Sequence, residues 1–435
     1  MLNGIKWIMH NIPKKNFNLF LESIIIILPI ALLFSVLIAE TLILTIIIFF
    51  FYNVTKKEIK LIVCDKIFIT LFILTLFFII NYFINISKDP SVTRSFFFIR
   101  FPLYVISLSY FLNKNYINIK KIFFIWSYIL IIICLDLQLQ NITGKNILGY
   151  QAIAQGEFYR LGGFLDDELK IAHLINCFFV MCLGFITFYY KKDIIKTLII
   201  NVPLTLLTIY SVYITGERSN FISLLLFSIV FFSFSNLNKY ILPILGILIL
   251  GLMFNFSQLE KNYKFQRMIV ENKDIIKKLV ITEKKEEFLN KKNQYFSHYS
   301  TAFQIFEENP LMGVGLKNFR NYCNDPKYDE KIYPTLRKKN CTTHPHNLLF
   351  EILSELGGIG VILFFSSFFY IFYLFIKDSI IKRNIFLFSN TIFLMIYFIP
   401  FLPKGSFFTN WNAIMFWTIF AINCYLVRMK NNKIT

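Results

Sequence analysis

Long apolar runs recur along almost the whole chain, and they constrain the fold more than any other feature. The chain has 435 residues, of which 56% are hydrophobic. A helix needs about 20 apolar residues to cross the hydrocarbon of a bilayer, whereas barrel strands are only about ten residues long. The sequence therefore predicts an all-α, polytopic membrane protein of about twelve transmembrane helices. The predicted spans are 19–38, 41–54, 66–86, 95–112, 122–140, 170–189, 194–213, 220–236, 240–256, 348–376, 384–401 and 411–427.

The distribution of positive charge predicts how these spans are oriented. The formal net charge is +19, but there is no basic domain to hold nucleic acid, so no nucleic-acid partner is expected. If the N-terminus is cytoplasmic, most Lys and Arg residues of the short loops fall on the cytoplasmic side, as the positive-inside rule requires. Both termini are then inside. The first apolar run begins after Asn18 without a small-residue cleavage site and is predicted to be a retained helix.

This topology divides the chain into three parts. Residues 1–256 form an N-terminal bundle of about nine helices with a periplasmic loop near 141–169, residues 257–347 form a periplasmic loop domain, and residues 348–435 carry about three further helices. Inside the loop domain, apolar residues from Met268 to Val280 have helical spacing with charges opposite. They predict an amphipathic helix on the outer leaflet or over the bundle. A second helix is predicted at about 294–308.

Two of the seven cysteines, Cys323 and Cys341, lie in the large loop. In an oxidising compartment they could form a disulfide that closes the loop; the alternative is two unrelated thiols. A zinc site is not predicted, because His344 and His346 have no third and fourth ligand at a recognisable spacing. No metal and no cofactor are therefore expected.

The stretch "TTHPHNLLFEILSELGGIG", from Thr342 to Gly360, carries polar residues into an apolar run. Polar groups at membrane depth are costly and face the protein interior or a wet cavity. His344 and His346 would lie at the helix N-terminus, where backbone N–H groups and the helix dipole favour an anion. The alternative for His346 is an interfacial histidine satisfied by backbone bonds. The face below them is predicted to carry Asn347, Glu351, Ser354 or Glu355, and Gly358, and Gly357 and Gly360 are predicted to allow close helix packing.

Further charged residues lie on the same side of the predicted topology. Arg218 falls in a tight turn, "YITGERSNF", and its alternative is a surface arginine paired with Glu217. Arg100 lies inside a span, where a guanidinium needs a phosphate or a carboxylate, the alternative being a structural pair with a helix acid. Glu168 belongs to an acidic helix entry, and Arg320 follows the glycine loop "ENPLMGVGL", which alone is a weak phosphate signal. Together these residues suggest chemistry on a phosphorylated, membrane-tethered substrate.

These motifs resemble those of the O-antigen ligase and O-antigen polymerase superfamily of bacterial envelope glycosyltransferases. Ligases of that family show a histidine, an Asn-like residue, nine residues and then Gly-x-x-Gly, and the stretch from His346 to Gly360 has this spacing. "ENPLMGVGLKNF" before "THPHN" is similar to the family's periplasmic loop, and "TGERSNF" is similar to its arginine turn. The resemblance covers about 140–365.

The resemblance implies a function and a set of roles. It implies transfer of a glycan from an undecaprenyl-pyrophosphate carrier, without metal, to a sugar hydroxyl at the periplasmic face of the bacterial inner membrane. His346 would be the general base, for which an unperturbed pKa near 6.5 is suitable. Arg218 and a second cation would bind the pyrophosphate, and attack would invert the anomeric centre. For the second cation we consider Arg320, Arg100 and Arg267, in that order; the supporting residues are His344, Asn347, Glu351, Glu168 and His298.

Other functions stay open at this stage. The acceptor is lipid A core in a ligase and another lipid-linked glycan in a polymerase, and the motifs do not separate the two. A transporter would place charges and broken helices at the bilayer midplane, with repeat symmetry, whereas the polar residues here gather at one surface. A non-catalytic scaffold would tolerate alanine at His346.

Overall fold

The computed structural model describes residues 14–86, 96–155, 158–235, 237, 294–328, 341–400 and 402–429. Almost all of this structure is helical, and one short hairpin interrupts it. The helices are α1 Lys14–Phe34, α2 Val36–Asn53, α3 Lys56–Val63, α4 Lys66–Ile86, α5 Arg100–Asn113, α6 Ile119–Thr143, α7 Ile171–Tyr189, α8 Ile194–Thr215, α9 Arg218–Phe234, α10 Gln294–Glu308, α11 Phe319–Tyr322, α12 Leu348–Ile381, α13 Ile385–Tyr397 and α14 Asn410–Arg428. The hairpin strands are β1 Ile153–Gln155 and β2 Phe158–Arg160, paired antiparallel.

The helices confirm the predicted all-α, polytopic membrane fold. Every predicted span within the described residues coincides with a helix, and the remaining one, 240–256, lies outside them. Seven of the described helices are long and apolar enough to cross a membrane, and three shorter apolar helices accompany them. Of the two predicted loop helices, α10 is present, whereas the amphipathic segment from Met268 to Val280 lies outside the described residues. The boundary predicted between residues 256 and 257 lies outside them as well.

The bundle is built around α7 and α14, which are buried along nearly their whole length. Helix α14 packs against α5 and α13, and α7 packs against α6, α8 and α13. Aromatic side chains fill the space between α12, α13 and α14; Phe368, for example, lies 5.0 Å from Phe398 and 5.6 Å from Phe416 between ring centroids. In contrast, α2, α4 and α6 expose many large apolar side chains, as helices in contact with lipid do.

Ion pairs between helices show which ends of the bundle lie together. At one end Lys121 pairs with Glu22 at 3.0 Å, and Arg428 pairs with Asp65 at 2.9 Å. The predicted topology assigns these four residues to one side of the membrane or close to it. The opposite end carries His346 and is called the site end below.

Helix α12 is broken at Gly357, which has φ 70° and ψ −171°. Gly357 and Gly360, predicted to allow close packing, both lie at close approaches: Gly357 lies against the backbone of Leu311, and Gly360 faces α4, where a Cβ would lie 3.4 Å from the Phe77 ring. The backbone of the external segment 310–315 fills the break. Its hydrogen bonds run from Val314 N–H to Ser354 O (3.0 Å), from Gly315 N–H to Glu355 O (2.8 Å), from Gly358 N–H to Pro310 O (2.7 Å) and from Ile359 N–H to Leu311 O (3.3 Å).

Glycine is required at this break for steric reasons. A Cβ on Gly357 would lie 2.4 Å from both the carbonyl carbon and the carbonyl oxygen of Leu311. Its backbone angles are also accessible almost only to glycine. The segment is anchored from the other side by Asn81 of α4, whose Nδ2 donates to Met312 O at 2.6 Å. The glycine loop of the sequence is thus a structural joint between α4, α10 and α12.

Candidate functional site

The N-terminus of α12 is set by Asn347 and His346. The Asn347 Oδ1 accepts hydrogen bonds from the N–H groups of Leu349 and Phe350 at 2.9 and 3.3 Å, so this residue is the N-cap. Its Nδ2 donates to Pro400 O, in the loop between α13 and α14. His346 has φ 59°, a left-handed conformation that costs free energy for a residue other than glycine. Strained backbone of this kind is held in place by its surroundings and is enriched at functional sites.

Three histidines meet beside this turn, and we call His298, His344 and His346 the histidine cluster. The His346 ring centroid lies 4.2 Å from that of His344 and 5.7 Å from that of His298. Burial, and secondarily the charge of His298, lowers the pKa of His346 to about 4. Burial and the charge of His346 lower the pKa of His344 to about 3. The unperturbed pKa expected for His346 is thus corrected: in the folded protein both rings are neutral at neutral pH.

His344 has one nitrogen in use and one that lacks a protein partner. Its Nδ1 is 2.9 Å from the Thr343 hydroxyl. Its Nε2 is buried and has no hydrogen-bond partner among the described residues. A buried nitrogen without a partner is costly in a native structure.

Arg320, on the short helix α11, lies close enough to act electrostatically on His344, Glu351 and Glu355. Its buried Nε has no hydrogen-bond partner among the described residues. The next turn is tied down by a disulfide between Cys323 and Cys341, whose Cα atoms are 5.0 Å apart. This bond joins the end of α11 to the segment that leads into the histidine cluster, and so keeps Arg320 close to it.

The two carboxylates in the N-terminal turns of α12 bind backbone rather than cations. Glu351 and Glu355 are only 2% and 1% exposed. Glu351 accepts from Phe407 N–H at 3.1 Å, and its other oxygen has no hydrogen-bond partner among the described residues. Glu355 accepts from the N–H groups of Lys317 and Phe319 at 2.7 and 3.3 Å. Burying these two acids is costly, but their hydrogen bonds hold the backbone of two loops at the site, one at Phe407 and one at Lys317.

Lys317 belongs to the same site, although sequence reasoning did not single it out. It has φ 61°, and its Nζ donates to Asn410 Oδ1 at 3.2 Å. Burial and the nearby charge of Arg100 lower the pKa of this amine to about 8. Arg100 itself is held by Glu40 through two bonds, Nε–Oε2 at 2.6 Å and a second guanidinium nitrogen to Oε1 at 2.8 Å. Arg100 thus forms the pair with a helix acid that was its alternative, and pyrophosphate binding by Arg100 stays a prediction.

Arg218 is the first residue of α9 and directly follows the turn that precedes this helix. The neighbouring Glu217 is buried and accepts from Ala172 N–H at 3.0 Å and from the Asn220 amide at 2.6 Å. Burial raises its pKa to about 7. Arg160, at the end of β2, lies over the turn: a Cβ on Gly216 would be 3.7 Å from its Cγ. Two arginines, Arg160 and Arg218, therefore belong to this turn.

Lys404 connects this turn to the histidine cluster. Its backbone N–H donates to His346 O at 2.9 Å, and its Nζ lies 4.8 Å from the centroid of the Tyr397 ring. His173 lies 6.0 Å from Tyr397 between ring centroids and is hydrogen-bonded to Asn220, which follows the arginine turn. Helices α7, α9, α12 and the loop before α14 thus meet around one site. The sequence offered a single signal for Lys404, a lysine between Pro403 and Gly405 at a span end.

Two predicted residues remain: Arg267 lies outside the described residues, and Glu168 lies apart from this arrangement. Glu168 is exposed and pairs with Lys170, and no contact with the histidine cluster is seen. Among the described residues, no group of three or more His, Cys, Asp or Glu side chains could hold a metal ion.

A bundle of membrane-length helices with cations and histidines collected at one end defines a polytopic membrane protein. Residues 203–365 match the family model described as O-antigen ligase. This match confirms the resemblance predicted from the motifs: residues 203–365 are similar to the O-antigen ligase family. The family acts in glycan transfer of the ligase or polymerase type.

Other comparisons add little. No curated protein matches the chain. The chain is similar to a chain in the structure described as "Structural coordination of polymerization and crosslinking by a peptidoglycan synthase complex". The identity is 11%, 82% of this chain and 96% of that chain are covered, and the TM-score is 0.47. At this level the similarity carries no argument about function.

Proposed function

We propose that the protein transfers a glycan from an undecaprenyl-pyrophosphate carrier to a sugar hydroxyl, with lipid A core as the acceptor. The family match gives the general class of reaction. The observation that carries the finer proposal is the meeting of the histidine cluster with Arg320, where His344 Nε2 and Arg320 Nε both lack a hydrogen-bond partner among the described residues. A nitrogen base for the hydroxyl acceptor and a guanidinium for the anionic donor, close enough to interact electrostatically, support this proposal.

His346 is the general base in this proposal. Its lowered pKa keeps the ring neutral at neutral pH, so a nitrogen lone pair is available to take the proton of the acceptor hydroxyl. The same low pKa makes the ring a weak base in the empty site. A pyrophosphate bound nearby would raise that pKa, because a negative charge favours the protonated imidazole. The base would thus become strong only when the donor is present.

The cations stabilise the departing pyrophosphate. Arg218 and Arg320 would hold its oxygens as negative charge grows on the leaving group, and Arg100 would assist only by giving up its pair with Glu40. Asn347, Glu351 and His298 have positioning roles. Asn347 caps the start of α12, Glu351 holds the loop before α14, and His298 packs near the ring of His346. Attack from the face opposite the leaving group would invert the anomeric centre.

The location of the protein is part of the proposal. The loop charges and the disulfide between Cys323 and Cys341 favour an inner-membrane protein with cytoplasmic termini and the site end in the periplasm. That face is where a flipped lipid-linked glycan would meet its acceptor.

The test uses a host that lacks its own ligase and is supplied with lipid-linked O-antigen. We would express the wild type, His346→Ala and, as a control, Lys145→Ala, which changes an exposed residue of another loop. Equal amounts in the membrane are checked first, and lipopolysaccharide is then separated on a gel. We expect glycan on lipid A core with the wild type and the control, and a loss of at least about a hundredfold with His346→Ala.

The outcomes separate the alternatives. Longer glycans on the lipid carrier with the wild type, and none on lipid A core, would replace the ligase by a polymerase. Full transfer by His346→Ala would refute the assignment of the base. No transfer and no polymerisation by the wild type would contradict the proposed donor.

A further inference from the structure

The ammonium group of Lys404 has no acid partner among the described residues. Arg100, Lys121 and Arg428 each pair with a carboxylate within 3.0 Å. The Nζ of Lys404 donates to the carbonyl of Ile396 and lies over the ring of Tyr397, and no carboxylate in the described part of the chain is within ion-pair distance. Ile396 and Tyr397 are themselves only 7% and 6% exposed.

A charge in such surroundings needs a counter-ion. An ammonium group taken out of water loses hydration, and one carbonyl and the face of one aromatic ring replace only part of it. In membrane proteins, ionisable groups of this kind mark the path or the site of a charged substrate. The missing partner of Lys404 is an anion.

The position of Lys404 says which anion fits. Its backbone holds His346 through the bond to the His346 carbonyl at 2.9 Å, and its charge also reaches His173, which is bonded to Asn220 behind Arg218. The ammonium therefore lies between the proposed base and the arginine turn. A diphosphate spans several ångströms and carries charge at both ends, so it needs cations on both sides and one between them.

We propose that Lys404 forms a diphosphate-binding subsite between Arg218 and the histidine cluster, and binds the pyrophosphate of the donor directly. The inference rests on the proposed function and adds a residue to its site. It also gives the loop before α14 a role: the loop carries the ammonium, and both Asn347 and Glu351 hold the loop in place.

The test measures binding to the full-length protein in detergent, with farnesyl pyrophosphate as the probe. Farnesyl monophosphate and inorganic pyrophosphate distinguish a diphosphate site from a general phosphate site and from a lipid site. The variants are Lys404→Met, which keeps the length of the side chain, Lys404→Arg, which keeps the charge, and Lys145→Met as the exposed control. Melting temperatures show whether each variant folds.

We expect Lys404→Met to bind farnesyl pyrophosphate and inorganic pyrophosphate about 10- to 100-fold more weakly than the wild type, since one charge-assisted contact is lost. Lys404→Arg should stay within about fivefold of the wild type, because the charge is kept, and Lys145→Met should be unchanged. The melting temperature of Lys404→Met should be equal or higher, because an ammonium without an acid partner is removed.

Three results would overturn the inference in different ways. A folded Lys404→Met that binds both diphosphates as well as the wild type would remove Lys404 from the site and leave the proposed function intact. A wild type that binds none of the three probes would contradict the donor chemistry itself. Equal affinity of the wild type for the monophosphate and the diphosphate would refute a subsite built for a diphosphate.

Discussion

Unfavourable backbone conformations and buried ionisable groups lie together at one place, at His346, Lys317 and Lys404. His346 and Lys317 have φ values of 59° and 61°, which non-glycine residues rarely adopt. Burial lowers the pKa of the Lys404 amine to about 7 and that of His346 to about 4. Each of these costs is met by tertiary contacts, and all three residues lie around the same site. Strain and desolvation are therefore concentrated where an anion would relieve them.

The lowered histidine pKa values predict a pH dependence of stability. An unfolded chain protonates its histidines near pH 6.5, whereas folded His346 and His344 resist protonation down to about pH 4 and about pH 3. As the pH falls from about 6.5 towards 4, the unfolded state binds more protons and stability is lost. We expect the melting temperature of the wild type to fall more steeply over this window than that of His346→Asn.

The comparison with His346→Asn is needed because Glu217 changes the stability with pH in the direction opposite to the histidines. Its folded pKa of about 7 lies above the unfolded value, so its contribution is lost as the pH rises through that window. The contribution of Glu217 is the same in the wild type and in His346→Asn, so it cancels in the difference between their melting curves. Parallel curves for the wild type and His346→Asn would contradict the lowered pKa of His346.

At the scale of elements, the break in α12 organises the site end. Helix α12 spans Leu348–Ile381, and at Gly357 it opens its backbone to the segment 310–315. That segment leads directly into Lys317 and Arg320. The hydrogen bonds across the break thus hold Lys317 and Arg320 against the N-terminal turns of α12, which carry Glu355 and begin beside the histidine cluster.

Alanine at the break should therefore damage both stability and activity. In Gly357→Ala the Cβ would meet the Leu311 carbonyl at 2.4 Å in a backbone conformation that alanine adopts at a cost of about 1–3 kcal/mol. We expect a clearly lower melting temperature in detergent and loss of glycan transfer. Gly358→Ala is the matched control, because its Cβ would lie 3.3 Å from Pro310 O without a left-handed backbone. Equal behaviour of the two variants would refute the break as a structural joint.

At the scale of the whole molecule, the two ends of the bundle differ in chemistry. The end opposite the site carries ion pairs such as Lys121 with Glu22, and the exposed thiol of Cys64. The site end carries the disulfide, the histidine cluster and the arginine turn. A reducing and an oxidising compartment on the two sides of the membrane would account for this separation.

This separation is testable with a thiol reagent that does not cross membranes. In spheroplasts we expect no labelling of Cys64 until the membrane is lysed, and labelling of Cys323 and Cys341 only after reduction, because the other described cysteines are buried. Leu148→Cys in a Cys64→Ser background is the positive control, since Leu148 is exposed in the loop predicted to be periplasmic. Labelling of Cys64 in intact spheroplasts would reverse the orientation.

The sequence by itself determined the class of fold and the elements of the site. Apolar runs long enough to cross a bilayer must become helices, because lipid offers no partner for backbone groups, and this placed every described span. The stretch around His346 was recognisable for a similar reason: polar residues in an apolar run are too costly to be incidental. The spacing from His346 to Gly360 then pointed to the family that the comparison confirmed.

Only the tertiary structure decided which charged side chains have an oppositely charged partner. Arg100 and Lys404 look alike in sequence, since each is a cation within or at the end of an apolar run. Arg100 finds Glu40, 60 residues earlier, whereas Lys404 meets an aromatic ring and a carbonyl. Likewise Glu355 binds the backbone of Lys317, 38 residues away. Such partners are distant in the chain and are chosen by packing, so no local pattern of residues contains them.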